Sequence, residues 1–269
     1  MPAENLAAIE RAIGAGLEIV LATGRRFDFA RPVFEQLPRP LTLILSNGAI
    51  VKTCDGQTLL RHLLPAAVAR GVLLGAPQHR ASAALLFDRP RAGQIVYERV
   101  DWTHPRHAPF FAANRPFITE IAPLEEALIE DPLQLMFTGG CGEMRVLFDE
   151  LRHAPHSGAY SVALTEYRAR DFSLVDIIQA GCSKGAALRE WAARRGLGAA
   201  QVMAAGDNLN DLQMLEFAGH PVVMGNAVEE LRTRGWRVTG SNDDAGVARA
   251  IDEILEARAG VTTGRRRSG

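Results

Sequence analysis

The 269-residue sequence predicts an α/β protein, a doubly wound parallel sheet into which a smaller α+β unit is inserted. Three observations predict it. Before residue 65, near-continuous apolar segments alternate with helical ones, and unbroken apolar strands signal a parallel sheet covered on both faces. From about 65 to 174 the rhythm breaks into short strand-like segments punctuated by Pro and Gly, with few helices between. After Ser183 the alternation returns. The chain therefore divides into 1–64 and 175–258 for the sheet unit, 65–174 for the insertion, and 259–269 for a disordered tail. The run Arg265, Arg266, Arg267 reads as a solvated terminus.

Each element has a local reason. Residues 3–14 form a helix: Pro2 suits its first turn, Leu6, Ile9 and Ile13 share a face, and Gly14 and Gly16 stop it. LEIVLAT (17–23) is a buried strand ending in Thr23-Gly24-Arg25, and a helix over 27–37 is closed by Pro38 and Pro40. LTLILS (41–46) is a second buried strand ending in Asn47-Gly48. In the insertion AALLFD, QIVYERV, FITEIA and LQLMFTG read as strands, 141–154 as a helix, and 160–179 as two strands joined by a turn. Ser183 is a good N-cap for a helix over 184–196. A strand over 199–206 ends in Asp207, followed by the short helix DLQMLEFAG, the strand HPVVMG and a last helix near 244–257.

Composition sets bounds on function. Apolar residues at 47% and charged residues at 23% suit a globular core, and a net charge of -1 gives no overall basic field for nucleic acid or an anionic membrane. Cys54, Cys141 and Cys182 are far apart and form no CxxC pair, which argues against a zinc site and for a reduced, cytoplasmic setting. No apolar run reaches membrane-spanning length, and the N-terminus lacks the pattern of a signal peptide.

Three features can carry chemistry. Thr23-Gly24-Arg25 lies beyond the carboxyl end of a strand, where open parallel sheets bind ligands. The Thr23 hydroxyl and the following N–H groups suit a phosphate oxygen, and Gly24 permits close approach; alone, the plain reading as a strand-end turn wins. Lys184 sits in the first turn of a helix, where a cation is disfavoured by about 0.3–1 kcal/mol and an anion in front reverses the sign. A lysine directed to water is an equally good reading. In Gly206-Asp207-Asn208-Leu209-Asn210-Asp211, two carboxylates and two amides crowd one turn, and an oxygen-only donor set suits a hard ion such as Mg²⁺ better than a solvated Asx turn explains it.

LATGRR, SNGAIV, GCSKGAAL, AAGDNLNDLQML, MGNAVEEL and VTGSNDDAGVARAI follow, in order, the motifs of the Cof-type haloacid dehalogenase-like (HAD) hydrolases. The chain resembles that family over both parts of the sheet unit, with the insertion matching its cap domain in position and size. The resemblance implies a Rossmann-like core and a Mg²⁺-dependent phosphatase of small phosphate monoesters such as sugar phosphates. It implies that Thr23 hydrogen-bonds the transferring phosphoryl group, that Lys184 neutralises it and orients the nucleophile, and that Asp207 binds Mg²⁺ while Asn210 and Asp211 hold the metal shell and its loop. Gly24, Arg25, Asn47 and Gly48 would line the phosphate and substrate entrance. The partner implied is a small phosphorylated metabolite; oligomeric state is not readable. Arg80, His104, Arg106 and His107 in the insertion read as solvated surface.

The sequence departs from the family at its front. Members carry the nucleophile and an acid/base residue as Asp-x-Asp on the first, central strand, and no Asp-x-Asp occurs here; no Asp precedes Asp28, and Glu4, Glu10 and Glu18 are misplaced for the role. Loss of a central strand would uncover four or five buried side chains at about 1.5–3 kcal/mol each, on the order of a whole domain's stability. The expectation is therefore that the first core strand is missing from the chain as given, that residues 1–269 are inactive, and that the coding sequence before Met1 continues in frame with an apolar strand and Asp-x-Asp-Gly-Thr. A non-catalytic phosphate- or Mg²⁺-binding relative and a phosphomutase are the alternatives. A nucleotide-binding dehydrogenase is disfavoured by the lack of GxGxxG after a strand, and a P-loop kinase by the lack of GxxxxGK[ST].

Overall fold

A computed structural model describes residues 1–104 and 106–266. The first part contains α1 (Ala3–Gly14), β1 (Ile19–Ala22), α2 (Phe27–Phe34) and β2 (Leu41–Leu45), followed by β3 (Ile50–Thr53) and β4 (Thr58–Arg61). β1 and β2 pair in parallel, whereas β2–β3 and β3–β4 are antiparallel. The β3–β4 hairpin was not anticipated, yet it has a signal: Asp55-Gly56 at its turn, with Gly56 at φ 88°.

The middle part comprises α3 (Ala66–Gly75), β5 (Ala83–Leu86), β6 (Ile95–Tyr97), α4 (Ala108–Asn114), β7 (Ile118–Glu120), β8 (Gln134–Gly139), α5 (Cys141–His153), β9 (Tyr160–Tyr167) and β10 (Phe172–Gln179). Its six strands form one sheet in the order β7-β6-β5-β8-β10-β9. On one face Leu85, Phe137, Val175 and Ile177 pack against Leu73 of α3 and Met144 and Leu147 of α5. On the other, Ala84, Ile95, Tyr97 and Met136 pack against Phe111 of α4. The sequence had no clear signal for α3, whose helical pattern is interrupted by Gly71.

The chain then resumes its α/β alternation with α6 (Lys184–Arg194), β11 (Met203–Gly206), α7 (Leu212–Phe217), β12 (His220–Val223), α8 (Glu229–Arg232), β13 (Arg237–Val238) and α9 (Gly246–Arg266). β11, β12 and β13 are parallel. Ser183 caps α6 as anticipated, its hydroxyl accepting from the Ala186 N–H at 2.9 Å. β11 begins at Met203 rather than 199, because 199–201 form a 3₁₀ turn, and α9 runs past the anticipated end near 257. The side chains of Arg265 and Arg266, and all of Arg267 to Gly269, lie outside the described residues.

Helices cover both faces of the parallel strands. Leu41, Leu43 and Leu45 of β2 face α1, α2 and α9, while Ile44 faces α6 and α7. One departure from a continuous sheet stands out. β1 ends one sheet and β11 ends another, and among the described residues neither has a strand on its outer edge. Yet their side chains share the same two apolar clusters: Ile19, Leu21 and Met203 belong to one face, Val20, Ala22 and Ala204 to the other. All four residues of β1 are apolar but only half-buried, in contrast to the fully buried β2. Unpaired apolar edges of this kind are a liability that folds normally cover.

Candidate functional site

The carboxyl ends of β1, β2 and β11 converge with the start of α6. After β1, the Thr23 N–H donates to the Ile44 carbonyl at 2.8 Å. The Thr23 hydroxyl accepts from the Arg25 N–H at 3.1 Å, which leaves its own O–H free to donate outward. After β2, Ser46, Asn47 and Gly48 take φ of 49°, 55° and 102°. Two consecutive non-glycine residues in the left-handed region cost about 1–3 kcal/mol each and persist only where the surroundings fix them. The surroundings do so here: the Asn47 Nδ2 donates to Asp176 Oδ2 at 2.8 Å, and its Oδ1 accepts from Asn210 Nδ2 at 2.9 Å. Glycine is required at Gly48 and favoured at Gly24. A Cβ on Gly24 would lie 3.0 Å from Asn47 Oδ1, and one on Gly48 would lie 2.3 Å from the Ser183 carbonyl oxygen.

Lys184 in the first turn of α6 finds its anion within the chain. Its Nζ donates to Asp211 Oδ1 at 2.7 Å, with both side chains under 10% exposed. The other Asp211 oxygen accepts from the N–H groups of Asp207 and Asn208, each at 3.0 Å. Asp211 thus closes the 207–211 loop and pairs with the lysine, and both its oxygens are engaged. Asp207 is exposed and its carboxyl is held above the usual range, chiefly by desolvation and also by the Asp211 charge, against which Lys184 acts.

A hard cation finds only part of its shell here. Asp207 has an accessible carboxylate, and Asn210 Oδ1 is a buried acceptor without a partner. Among the described residues no group of three His, Cys, Asp or Glu side chains is placed to hold a metal ion. Six oxygen ligands are usual for Mg²⁺, so the residues present supply only part of its shell. Arg25 is exposed, lies over the Phe29 ring at 5.1 Å, and makes no ion pair among the described residues.

Four residues given no individual role by the sequence join the site to the middle sheet. Asp176 on β10 is buried and also accepts from Gln134 Nε2 at 2.7 Å. Thr165 on β9 accepts from Asn210 Nδ2 at 3.0 Å, and the Glu166 carbonyl accepts from Asn208 Nδ2 at 2.9 Å. Arg26 is buried between the two parts, donating to Gln94 Oε1 at 2.7 Å and Asn114 Oδ1 at 2.6 Å, with Phe117 stacked at 3.9 Å. The visible signal for Asp176 was an acidic residue inside an apolar strand, Leu174-Val175-Asp176-Ile177-Ile178.

Burial pushes the Asp176 carboxyl up to about 7, with the Asn47 hydrogen bond and the Lys184 charge opposing. A carboxyl raised above its unfolded value stabilises the fold most below about pH 4, and that contribution declines as pH rises towards 7. Asp176→Asn is therefore expected to flatten this part of the stability–pH curve relative to the parent, measured by urea unfolding from pH 4 to 8. Gln134 Oε1, buried and unpartnered, can serve the new amide after a side-chain flip. Unchanged curvature would show that Asp176 is ionised throughout.

The four basic residues expected on solvated surface are mostly engaged. Arg80 is part-buried and clamped by Glu98 and Glu125, and Arg106 pairs with Asp171 at 2.7 Å. His104 and His107 stack at 4.3 Å, and burial, with His104 and Arg106 nearby, lowers His107 to about 4.

The family of haloacid dehalogenase-like hydrolases matches residues 1–251. The chain belongs to that family. Among its relatives, this hydrolase is 25% identical over 277 residues to the 5-amino-6-(5-phospho-D-ribitylamino)uracil phosphatase YwtE of Bacillus subtilis, covering 95% of this chain and 92% of the relative. It is 27% identical to the pyridoxal phosphate phosphatase YbhA of Escherichia coli, covering 92% and 89%. It is 29% identical to the HMP-PP phosphatase of Serratia proteamaculans, covering 86% and 79%. Solved structures share its fold. One is SMU.1108c of Streptococcus mutans, with TM-score 0.78 and 20% identity over 94% of this chain and 91% of that one. Another is a haloacid dehalogenase-like hydrolase of Bacteroides thetaiotaomicron, with TM-score 0.74 and 24% identity over 94% and 92%. The α/β class read from the sequence is that of this family. Among the described residues no helix is long and apolar enough to cross a membrane.

Proposed function

We propose that residues 1–269 form the phosphate-binding part of a Mg²⁺-dependent phosphatase of small phosphate monoesters, and that its nucleophile arrives on a strand seated between β1 and β11. The observation that carries this reading is the pair of open strand edges. β1 and β11 run between the same two apolar clusters, each with an unpaired edge, and the residues just past their carboxyl ends are Thr23 and Asp207. A strand parallel to both would satisfy both edges and deliver its own carboxyl-end residues between these two side chains. The named phosphatase relatives support the reaction class.

In this reading the 65–174 insertion is the cap over the site. An aspartate on the added strand attacks phosphorus, the ester oxygen leaves with a proton from the second aspartate, and water then hydrolyses the aspartyl-phosphate. The groups of this chain bind and hold. The Thr23 O–H and the Lys184 N–H groups not given to Asp211 donate to phosphoryl oxygens, while Asn47 and Asn210 fix the two loops against each other. Mg²⁺, bound by Asp207 together with carboxylates of the added strand, would neutralise phosphoryl charge. The test is phosphate release by a form extended at its N-terminus with an apolar strand and Asp-x-Asp-Gly-Thr. Asp207→Ala in that form is expected to abolish release, and retained release would contradict the role given to Asp207.

A further inference from the structure

An aromatic wall lines the boundary between the site and the middle sheet. It starts at Arg25, over the Phe29 ring at 5.1 Å. Phe29 meets Phe110 of α4 edge-on at 6.2 Å, Phe110 lies 6.1 Å from Phe172 at the start of β10, and Phe172 stacks on Tyr167 at the end of β9, at 6.1 Å and 22°. The two ends of this wall come from different parts of the chain, and both meet the site.

Strand geometry places Tyr167. Side chains two apart on a strand share a face. Thr165 directs its hydroxyl to Asn210, so Tyr167 lies on that same face, one step nearer the β9–β10 turn. The backbone between them is pinned to the 207–211 loop by both Glu166–Asn208 hydrogen bonds, at 2.9 and 3.3 Å. The electrostatics agree: burial raises the Tyr167 hydroxyl, and the charges it feels are those of Arg25, Asp176, Asp207 and Arg170. A ring kept for core packing is covered, yet Tyr167 is 40% exposed, and Phe29, Phe110 and Phe172 are each half-buried. Next to this open aromatic surface stands Arg25, a cation with no ion pair among the described residues. An anion beside Arg25 and Thr23 would carry any attached group along the wall.

We infer that the wall ending in Tyr167 selects phosphate monoesters whose alcohol part is a planar aromatic or heteroaromatic ring, with Tyr167 as the specificity-determining residue. Such a ring stacks on tyrosine at the spacing that aromatic pairs prefer, 4.5–7 Å. A flexible polyol gains nothing comparable from these faces. The inference rests on the phosphate-binding reading of Thr23, Arg25 and Lys184, and adds the identity of what the phosphate is attached to.

Binding to purified residues 1–269, measured by titration calorimetry, separates the two. The probes are inorganic phosphate, glycerol 1-phosphate, cyclohexyl phosphate and phenyl phosphate. Phenyl phosphate is expected to bind about tenfold more tightly than the other three, since stacking adds on the order of a factor of ten beyond area burial. Tyr167→Ala is expected to abolish that margin and Tyr167→Phe to keep it, with inorganic phosphate bound equally by all three proteins. Equal binding of phenyl and cyclohexyl phosphate, or a margin that survives Tyr167→Ala, overturns the aromatic inference while leaving the phosphate site in place. Tight phenyl phosphate with no detectable inorganic phosphate overturns the phosphate-site reading and, with it, the selection of phosphate esters. Absence of binding by every probe overturns both.

Discussion

Residues 1–269 are expected to release phosphate from small monoesters at the background rate, and the strand-extended form to release it about 10⁶-fold faster. That factor is what removal of a covalent nucleophile costs when the rest of a site stays in place. The phosphate-holding groups are in place here. Hydrogen bonds tie Thr23 to Asn47, Asn47 to Asn210, and Lys184 to Asp211, which closes the 207–211 loop. These groups supply neither the attack on phosphorus nor the proton for the leaving oxygen, both of which the proposal gives to the added strand. None of Glu4, Glu10 and Glu18 is placed for the attack: Glu4 and Glu10 lie on α1, and Glu18 accepts from Trp191 and Arg195 at 2.7 Å. Assaying both forms with phenyl phosphate and glycerol 1-phosphate, with and without Mg²⁺, gives the comparison. Comparable turnover by the two forms would mean that the nucleophile is already within residues 1–269. The phosphate-binding relative without turnover would be favoured if the extended form bound monoesters and released nothing.

Lys184→Met is expected to destabilise the fold by about 3–5 kcal/mol, because it strands the Asp211 carboxylate in a buried position. Two backbone N–H groups still serve Asp211, so the loss belongs at the lower end of that range. Replacing the carboxylate as well, in Lys184→Met with Asp211→Asn, keeps an acceptor for those amides and removes the unpaired charge. Most of the lost stability should return in the double variant. Urea unfolding of the parent, both single variants and the double variant measures the coupling. Additive losses would show that the pair is solvated.

Much of the fold was legible because local rules agreed. The apolar runs at 17–23 and 41–46, the Ser183 cap and the strand pair over 160–179 all formed close to their expected limits. What escaped notice was set by tertiary contacts. α3 has a glycine within its helical pattern and is held by packing under the middle sheet. The site shows the same division. Thr23, Gly24, Asn47, Gly48, Lys184, Asp207, Asn210 and Asp211 carry motif signatures, and the structure brings them together. Asp176 and Thr165 carry none, and Arg26 closes the LATGRR motif without a role read for it, because their significance lies in partners 45 to 129 positions away. Asp211 shows what motif reading leaves out: its oxygens are engaged by Lys184 and by two backbone amides of its own loop.

In the proposed arrangement β1 and β11 flank the seat of a strand that bears the nucleophile. Amide hydrogen exchange of residues 1–269 and of the extended form tests it most directly, because unpaired strand edges exchange through low-energy local opening and paired central strands approach global protection. Amides of Ile19–Ala22 and Met203–Gly206 facing away from β2 and β12 are expected to exchange quickly in residues 1–269 and to gain strong protection in the extended form. Amides of β3, β4 and the six-stranded sheet should change little. Protection of the β1 and β11 edges already present in residues 1–269, or no gain on extension, would contradict it.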